Sequence, residues 1–168
     1  MDTEMRLLAA MTLTAACAGL GWSMALRQTR RTRALEELRR AVNRLAEDML
    51  EKRLPLREAL LQAGHPLFEA AAREEGAAPG EAMEKAAQAL SRRGGPLDCL
   101  AREEMAAISR LAGELGQGSA QRQRLLLSET AEELGALLNQ ADKLAAERGR
   151  LYVSLGALGG LALAAMLV

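Results

Sequence analysis

The side chains able to do chemistry are few, and they do not converge. His65 is the lone histidine, standing between Gly64 and Pro66 at a break between two helical patterns. A general base needs a neighbour that positions it within hydrogen-bond reach of the reacting group, so His65 reads as a loop residue. Cys17 and Cys99 are the two cysteines, and neither has a second Cys or a His at metal-ligand spacing. Cys17 lies in an apolar run and Cys99 in a charged segment, so both read as free thiols in a reducing compartment. Gly94-Gly95-Pro96 and Gly116-Gln117-Gly118 lack the Lys and Ser or Thr that complete a phosphate-binding loop. The acidic pairs Glu36-Glu37, Glu74-Glu75, Glu103-Glu104 and Glu132-Glu133 read as solvated helix faces, or as docking points for a basic partner. This inventory provides no catalytic residue, cofactor site or metal site, and the reading is that the protein is not an enzyme.

The elements that hold these residues follow from composition and hydropathy. Aromatic residues make up 2% of the 168-residue chain, β-branched residues are few, and Ala, Leu, Glu and Arg abound, so an all-α fold is expected. The chain carries 22 Lys and Arg against 22 Asp and Glu, a balance that gives nucleic acid no reason to bind. Its mean hydropathy of −0.06 averages a charged middle with two apolar ends.

Those ends set the organisation. Leu7 to Leu26 contains no charge, and at ~1.5 Å per helical residue it matches the hydrocarbon thickness of a bilayer. Leu151 to Val168 is a second uncharged run. Arg27, Arg30, Arg31 and Arg33 follow the first run, whereas Arg6 is the one base before it. By the positive-inside rule the segment after Leu26 is cytosolic. The expected division is an extracytoplasmic N-terminus over 1–6, a transmembrane helix over 7–26, a cytosolic bundle over 27–150 and a C-terminal transmembrane helix over 151–168. Neither run carries an ionisable group, so the spans read as anchors rather than a transport pathway. Gly156 and Gly160 form a small-xxx-small pair suited to close packing of the spans.

Within the middle segment, Leu35, Leu38, Val42, Leu45 and Met49 repeat at three and four, an apolar seam of the coiled-coil kind. Pro55 is expected to end that helix and open the next. Short helices follow over Pro66 to about Glu75 and Gly80 to Arg93. A longer one is expected from Leu97 to about Leu115, ended by Gly116, and Ser119 is a candidate N-cap for the last helix. The expected architecture is a bundle of about six helices whose first and last continue into the two spans.

Four landmarks then carry a resemblance. Leu35-Glu36-Glu37-Leu38-Arg39-Arg40-Ala41-Val42 follows the first run, and Leu54-Pro55-Leu56-Arg57-Glu58-Ala59-Leu60 comes one helix later. Leu111-Ala112-Gly113-Glu114-Leu115-Gly116 is followed seven residues on by Gln123, and Leu155-Gly156-Ala157-Leu158-Gly159-Gly160 lies in the last run. In order and spacing these resemble the stage III sporulation protein AB family of endospore-forming bacteria. The chain departs from the family at Ser119, where an acid is usual, and at Leu54, where a Thr is usual.

The resemblance implies a membrane scaffold in a secretion-like complex linking mother cell and forespore. The family's cytosolic domain is similar to that of the platform protein of type II secretion and type IV pilus systems. By that likeness the partners would be an ATPase similar to stage III sporulation protein AA and the other membrane components of the complex. Within the family motifs, Leu54, Pro55, Leu56, Glu58, Leu115, Gly116 and Gln123 are the residues singled out, expected to order the bundle while exposed charges meet partners. Two other readings of the same sequence are a stand-alone two-pass channel or transporter subunit and a dimeric membrane signalling module, and a homo-oligomer is compatible with each.

Overall fold

A computed structural model describes the backbone of residues 2–74 and 76–167 and the side chains of Gly19, residues 26–74 and residues 76–147. Among the described residues there are six helices and no strand: α1 (Asp2–Leu50), α2 (Leu56–Gln62), α3 (Pro66–Arg73), α4 (Pro79–Leu90), α5 (Arg102–Glu114) and α6 (Ala120–Leu167). The all-α class agrees with the sequence reading. Among the described residues no helix is long and apolar enough to cross a membrane. The two expected spans, apart from Gly19 and Leu26, lie outside the described side chains, as do Gly156, Gly160 and residues 1–6.

The chain forms two compact units, Arg31–Gln140 and Met1–Arg30 with Ala141–Val168. In the second unit, Leu26, Arg27 and Arg30 are exposed and Ala141 is buried. The Arg31–Gln140 unit holds the motif stretches at 35–42, 54–60 and 111–123.

There α1 presents Leu35, Leu38, Val42 and Leu45 to the core, each at most 1% exposed, while Met49 is half-buried. This helix ends before Pro55 is reached. Arg53 turns the backbone left-handed at φ 53°, and Lys52 donates across the last turn to Asp48 at 2.8 Å and Glu47 at 3.3 Å. The Leu54 N–H closes back on the Asp48 carbonyl at 2.9 Å. Pro55 therefore occupies the extended N-cap position of α2, with ψ 143°, rather than terminating α1. Its fixed φ pre-sets the entry into the helix.

Short helices then stack in chain order, α2 on α3, α3 on α4 and α4 on α5. Each buries small residues beside one or two larger ones, among them Ala59 with Leu60, Ala71 with Leu67 and Phe68, and Ala86 with Met83. Alanine at these positions lets helix axes approach closely. The tightest approach is at Gly80, where an added Cβ would stand 2.3 Å from the Ala112 carbonyl oxygen of α5.

The fifth helix starts at Arg102 and not at Leu97 as the apolar spacing suggests. Gly94-Gly95-Pro96 begins a run of turns in which the Asp98 carboxylate accepts from the Gly94 N–H at 2.9 Å, and Leu97 is spent as a buried plug, its N–H donating to Leu90 O at 3.1 Å. The fourth helix correspondingly stops at Leu90, three residues before the expected end.

This geometry makes opposite predictions for two neighbouring glycines. Gly80→Ala should destabilise the fold by about 1–3 kcal/mol through overpacking against α5. Gly113→Ala, where an added Cβ meets nothing within 4 Å, should be neutral or stabilising by up to about 1 kcal/mol. Thermal unfolding of the two full-length variants followed by circular dichroism separates them.

Candidate functional site

Two of the motif stretches singled out in the sequence meet in space, and what they build is a clasp. The α5 chain leaves the helix at Leu115, which is 1% exposed, and turns left-handed at Gly116, φ 78°. A helix ending in this way leaves backbone groups without intrahelical partners. Gln123, 5% exposed on the first turn of α6, satisfies three of them with one side chain. Its Oε1 accepts from the Gly116 N–H at 3.0 Å, and its Nε2 donates to the carbonyls of Glu114 at 2.9 Å and Gln117 at 2.5 Å. Ser119 caps α6, its hydroxyl accepting from the Arg122 N–H at 3.3 Å.

Leu56 joins the same spot from α2: a Cβ on Gly116 would lie 3.0 Å from Leu56 Cδ2 and 3.5 Å from Pro79 Cγ. Glycine is thus required at 116 both by its backbone angle and by the packing above it. Elsewhere in this motif Ala59 and Leu60 enter the core, and Arg57 donates through Nε to the Ala72 carbonyl at 3.1 Å, tying α2 to α3. Leu54 and Leu56 are half-buried. Glu58 is exposed on the first turn of α2 and, among the described residues, forms no ion pair.

The structure corrects one acidic pair. Glu103 is exposed, but Glu104 has no exposed surface. Its Oε1 receives both Nε and Nη2 of Arg31 from α1, at 2.8 and 2.6 Å, and its Oε2 accepts from the Ala101 N–H at 2.6 Å. That second bond is the return half of a capping box, and it fixes the start of α5; alanine at 101 has no side-chain acceptor to supply the other half. Arg31, placed in the sequence among the topology-setting arginines, is half-buried because of this pair. Arg27, Arg30 and Arg33 are exposed. The signal for Glu104 was its position three residues after the N-cap, which adjacent acids masked. Glu36 and Arg40 form an exposed ion pair on α1, and Glu133 pairs with Arg110 across α5 and α6.

His65 is likewise more engaged than a loop residue. It is 3% exposed and caps α3, with Nδ1 accepting from the Leu67 N–H at 3.2 Å. Its ring meets Phe68 edge-on, centroids 6.0 Å apart. Burial holds its pKa below the ordinary 6.5, against the opposing fields of Glu37 and Glu69. A neutral imidazole with its acceptor nitrogen committed to a cap has a structural task. The half-buried Cys99 thiol donates to the Pro96 carbonyl at 3.9 Å and is in no disulfide, and among the described residues no cluster of His, Cys, Asp and Glu is arranged to hold a metal ion.

The profile of the family described as stage III sporulation protein AB matches residues 6–168. The chain belongs to the stage III sporulation protein AB family. A solved structure titled "Stage III sporulation protein AB" aligns with a TM-score of 0.60 and 19% identity, covering 70% of this chain and 97% of that one. At that identity the likeness speaks for a shared fold. No curated protein matches the chain.

Two predictions test this assignment of structural tasks in the sporulation protein. Gln123→Leu keeps the side-chain volume but leaves the Gly116 N–H and two carbonyls without their partner. Because Gly116, Glu114 and Gln117 are exposed and water can reach them, the cost should be about 1–2 kcal/mol, read as a lowered denaturation midpoint. For His65, the unfolded chain binds a proton more readily than the folded one, so stability should be flat above pH 6.5 and fall as the pH drops below it. His65→Asn, which retains a capping acceptor, should flatten that slope in thermal melts taken between neutral pH and about pH 5.

Proposed function

We propose that this chain is a membrane-anchored scaffold of a secretion-like sporulation complex between mother cell and forespore, and that its helical bundle docks a cytosolic ATPase of the stage III sporulation protein AA type. The observation that carries the reading is the family match over residues 6–168, which takes in both apolar runs as well as the bundle. On this reading the runs over 7–26 and 151–168 anchor the protein twice in the mother-cell membrane, with residues 27–150 in the cytosol beside the other membrane components of the complex.

Physical features support it. Leu54-Pro55-Leu56, Leu115, Gly116 and Gln123 are occupied in building the bundle, so contacts with partners fall to exposed groups such as Glu58. The seam that a dimeric signalling module would need is already covered: Leu35, Leu38, Val42 and Leu45 are buried by the chain's own helices. Helical bundles packed at this density move as units, which suits a part that stands between a motor and a membrane assembly.

The test is binding of the full-length chain, reconstituted in nanodiscs, to the AA-type ATPase of the same organism at physiological salt. Saturable binding that changes with nucleotide is the expected result. An ATPase that fails to bind the folded, reconstituted protein in any nucleotide state would refute the docking role.

A further inference from the structure

Within the Arg31–Gln140 unit, α1 and α6 run antiparallel. Gly135 of α6 lies against Arg39 of α1, an added Cβ being 3.1 Å from Arg39 Cζ. Earlier residues of α6 meet later residues of α1. There the two helices flank an open groove of about 490 Å³, with Leu127 at its floor, Asn43, Ala46, Glu47, Leu50 and Glu51 on the α1 side, and Arg124 and Ser128 on the α6 side. This is the end of the unit farthest along both helices from Arg31 and Gln140, where the chain leaves for its two apolar runs.

Three observations bear on what the groove takes. Its floor and walls include Leu127, fully buried, and Ala46 and Leu50, half-buried, so an apolar strip is reachable from outside. Glu51 and Arg124 face it from opposite helices, both exposed, and among the described residues neither is held in an ion pair. Beside it Leu125 is 59% exposed, more than Leu26 or Leu61, the other large apolar side chains left in solvent among the described residues. An apolar strip between the carboxylates of Glu47, paired with Lys52, and Glu51 on one flank and the Arg124 guanidinium on the other complements an amphipathic helix with an aliphatic anchor, a base facing α1 and an acid facing α6. Small-molecule sites instead enclose their ligand and converge a few buried polar groups upon it; the charges here stand at an open rim.

We infer that this groove between α1 and α6 receives an amphipathic helix of the cytosolic ATPase, with Glu51 and Arg124 setting its orientation and Ala46, Leu50 and Leu127 taking its apolar anchor. The inference rests on the docking role proposed above.

The experiment measures binding of the AA-type ATPase to full-length protein in nanodiscs, comparing wild type with Ser128→Trp, Glu51→Lys, Arg124→Glu and the control Glu84→Lys on the exposed face of α4. All four positions are exposed, so melting temperatures should match wild type. The groove variants should weaken binding at least tenfold and the control should leave it unchanged; Glu51→Lys and Arg124→Glu should also reduce its salt dependence. Undiminished binding by all three groove variants would overturn the groove while leaving the docking role intact. Failure of the wild type to bind overturns both. If the groove variants abolish self-association of the chain instead, with ATPase binding untouched, the occupant is a second copy and the inference is wrong.

Discussion

A carboxylate with no exposed surface must find its counter-charge and its hydrogen bonds inside the chain, and at Glu104 that requirement connects the long first helix to the start of α5. Arg31 supplies the charge and the Ala101 N–H occupies the other oxygen. Removing water from such a group is costly, so loss of either partner would leave an uncompensated charge worth several kcal/mol. The pair is therefore a weak source of net stability, but it ties α1 directly to the start of α5. The short helices α2 to α4 are folded into the interval between these two elements.

A second polar device acts at the other end of α5. One glutamine amide takes three backbone groups that a left-handed exit from a helix leaves open, and so joins the α5 terminus to the first turn of α6. Together, Glu104 and Gln123 fix both ends of α5 with buried side chains. This division of labour fits a bundle with one buried phenylalanine and many alanines. Small side chains bring helix axes close but do little to choose among alternative registers, so a few satisfied polar groups make that choice.

Function in such a protein resides on its surfaces. The motif residues singled out in the sequence are largely consumed in the clasp and in the α2 junction, which explains why a motif reading yields a fold more readily than a site. Exposed charges carry what specificity toward partners there is. Some of those on α1, α3, α5 and α6 are tied in ion pairs such as Arg40 with Glu36 and Arg122 with Glu114, each worth less than about 1 kcal/mol. Glu51 and Arg124, which among the described residues form no ion pair, stand on opposite sides of the groove between α1 and α6.

The sequence by itself determined the helical class, the number of helices in the charged middle and the apolar seam at Leu35, Leu38, Val42 and Leu45, because these follow from local periodicity and chain breakers. Gly116 and Gln123 are singled out together by the resemblance to the family and not by periodicity. Only the tertiary structure decided which acid of Glu103-Glu104 is buried, that His65 is an N-cap rather than a loop residue, and that α5 begins at Arg102. Each of these depends on a partner distant in the chain or on a backbone turn that spends an apolar residue outside any helix. Arg31 lies 73 residues from Glu104. Periodicity reports which side of a helix is apolar and carries no record of which charge crosses to meet it.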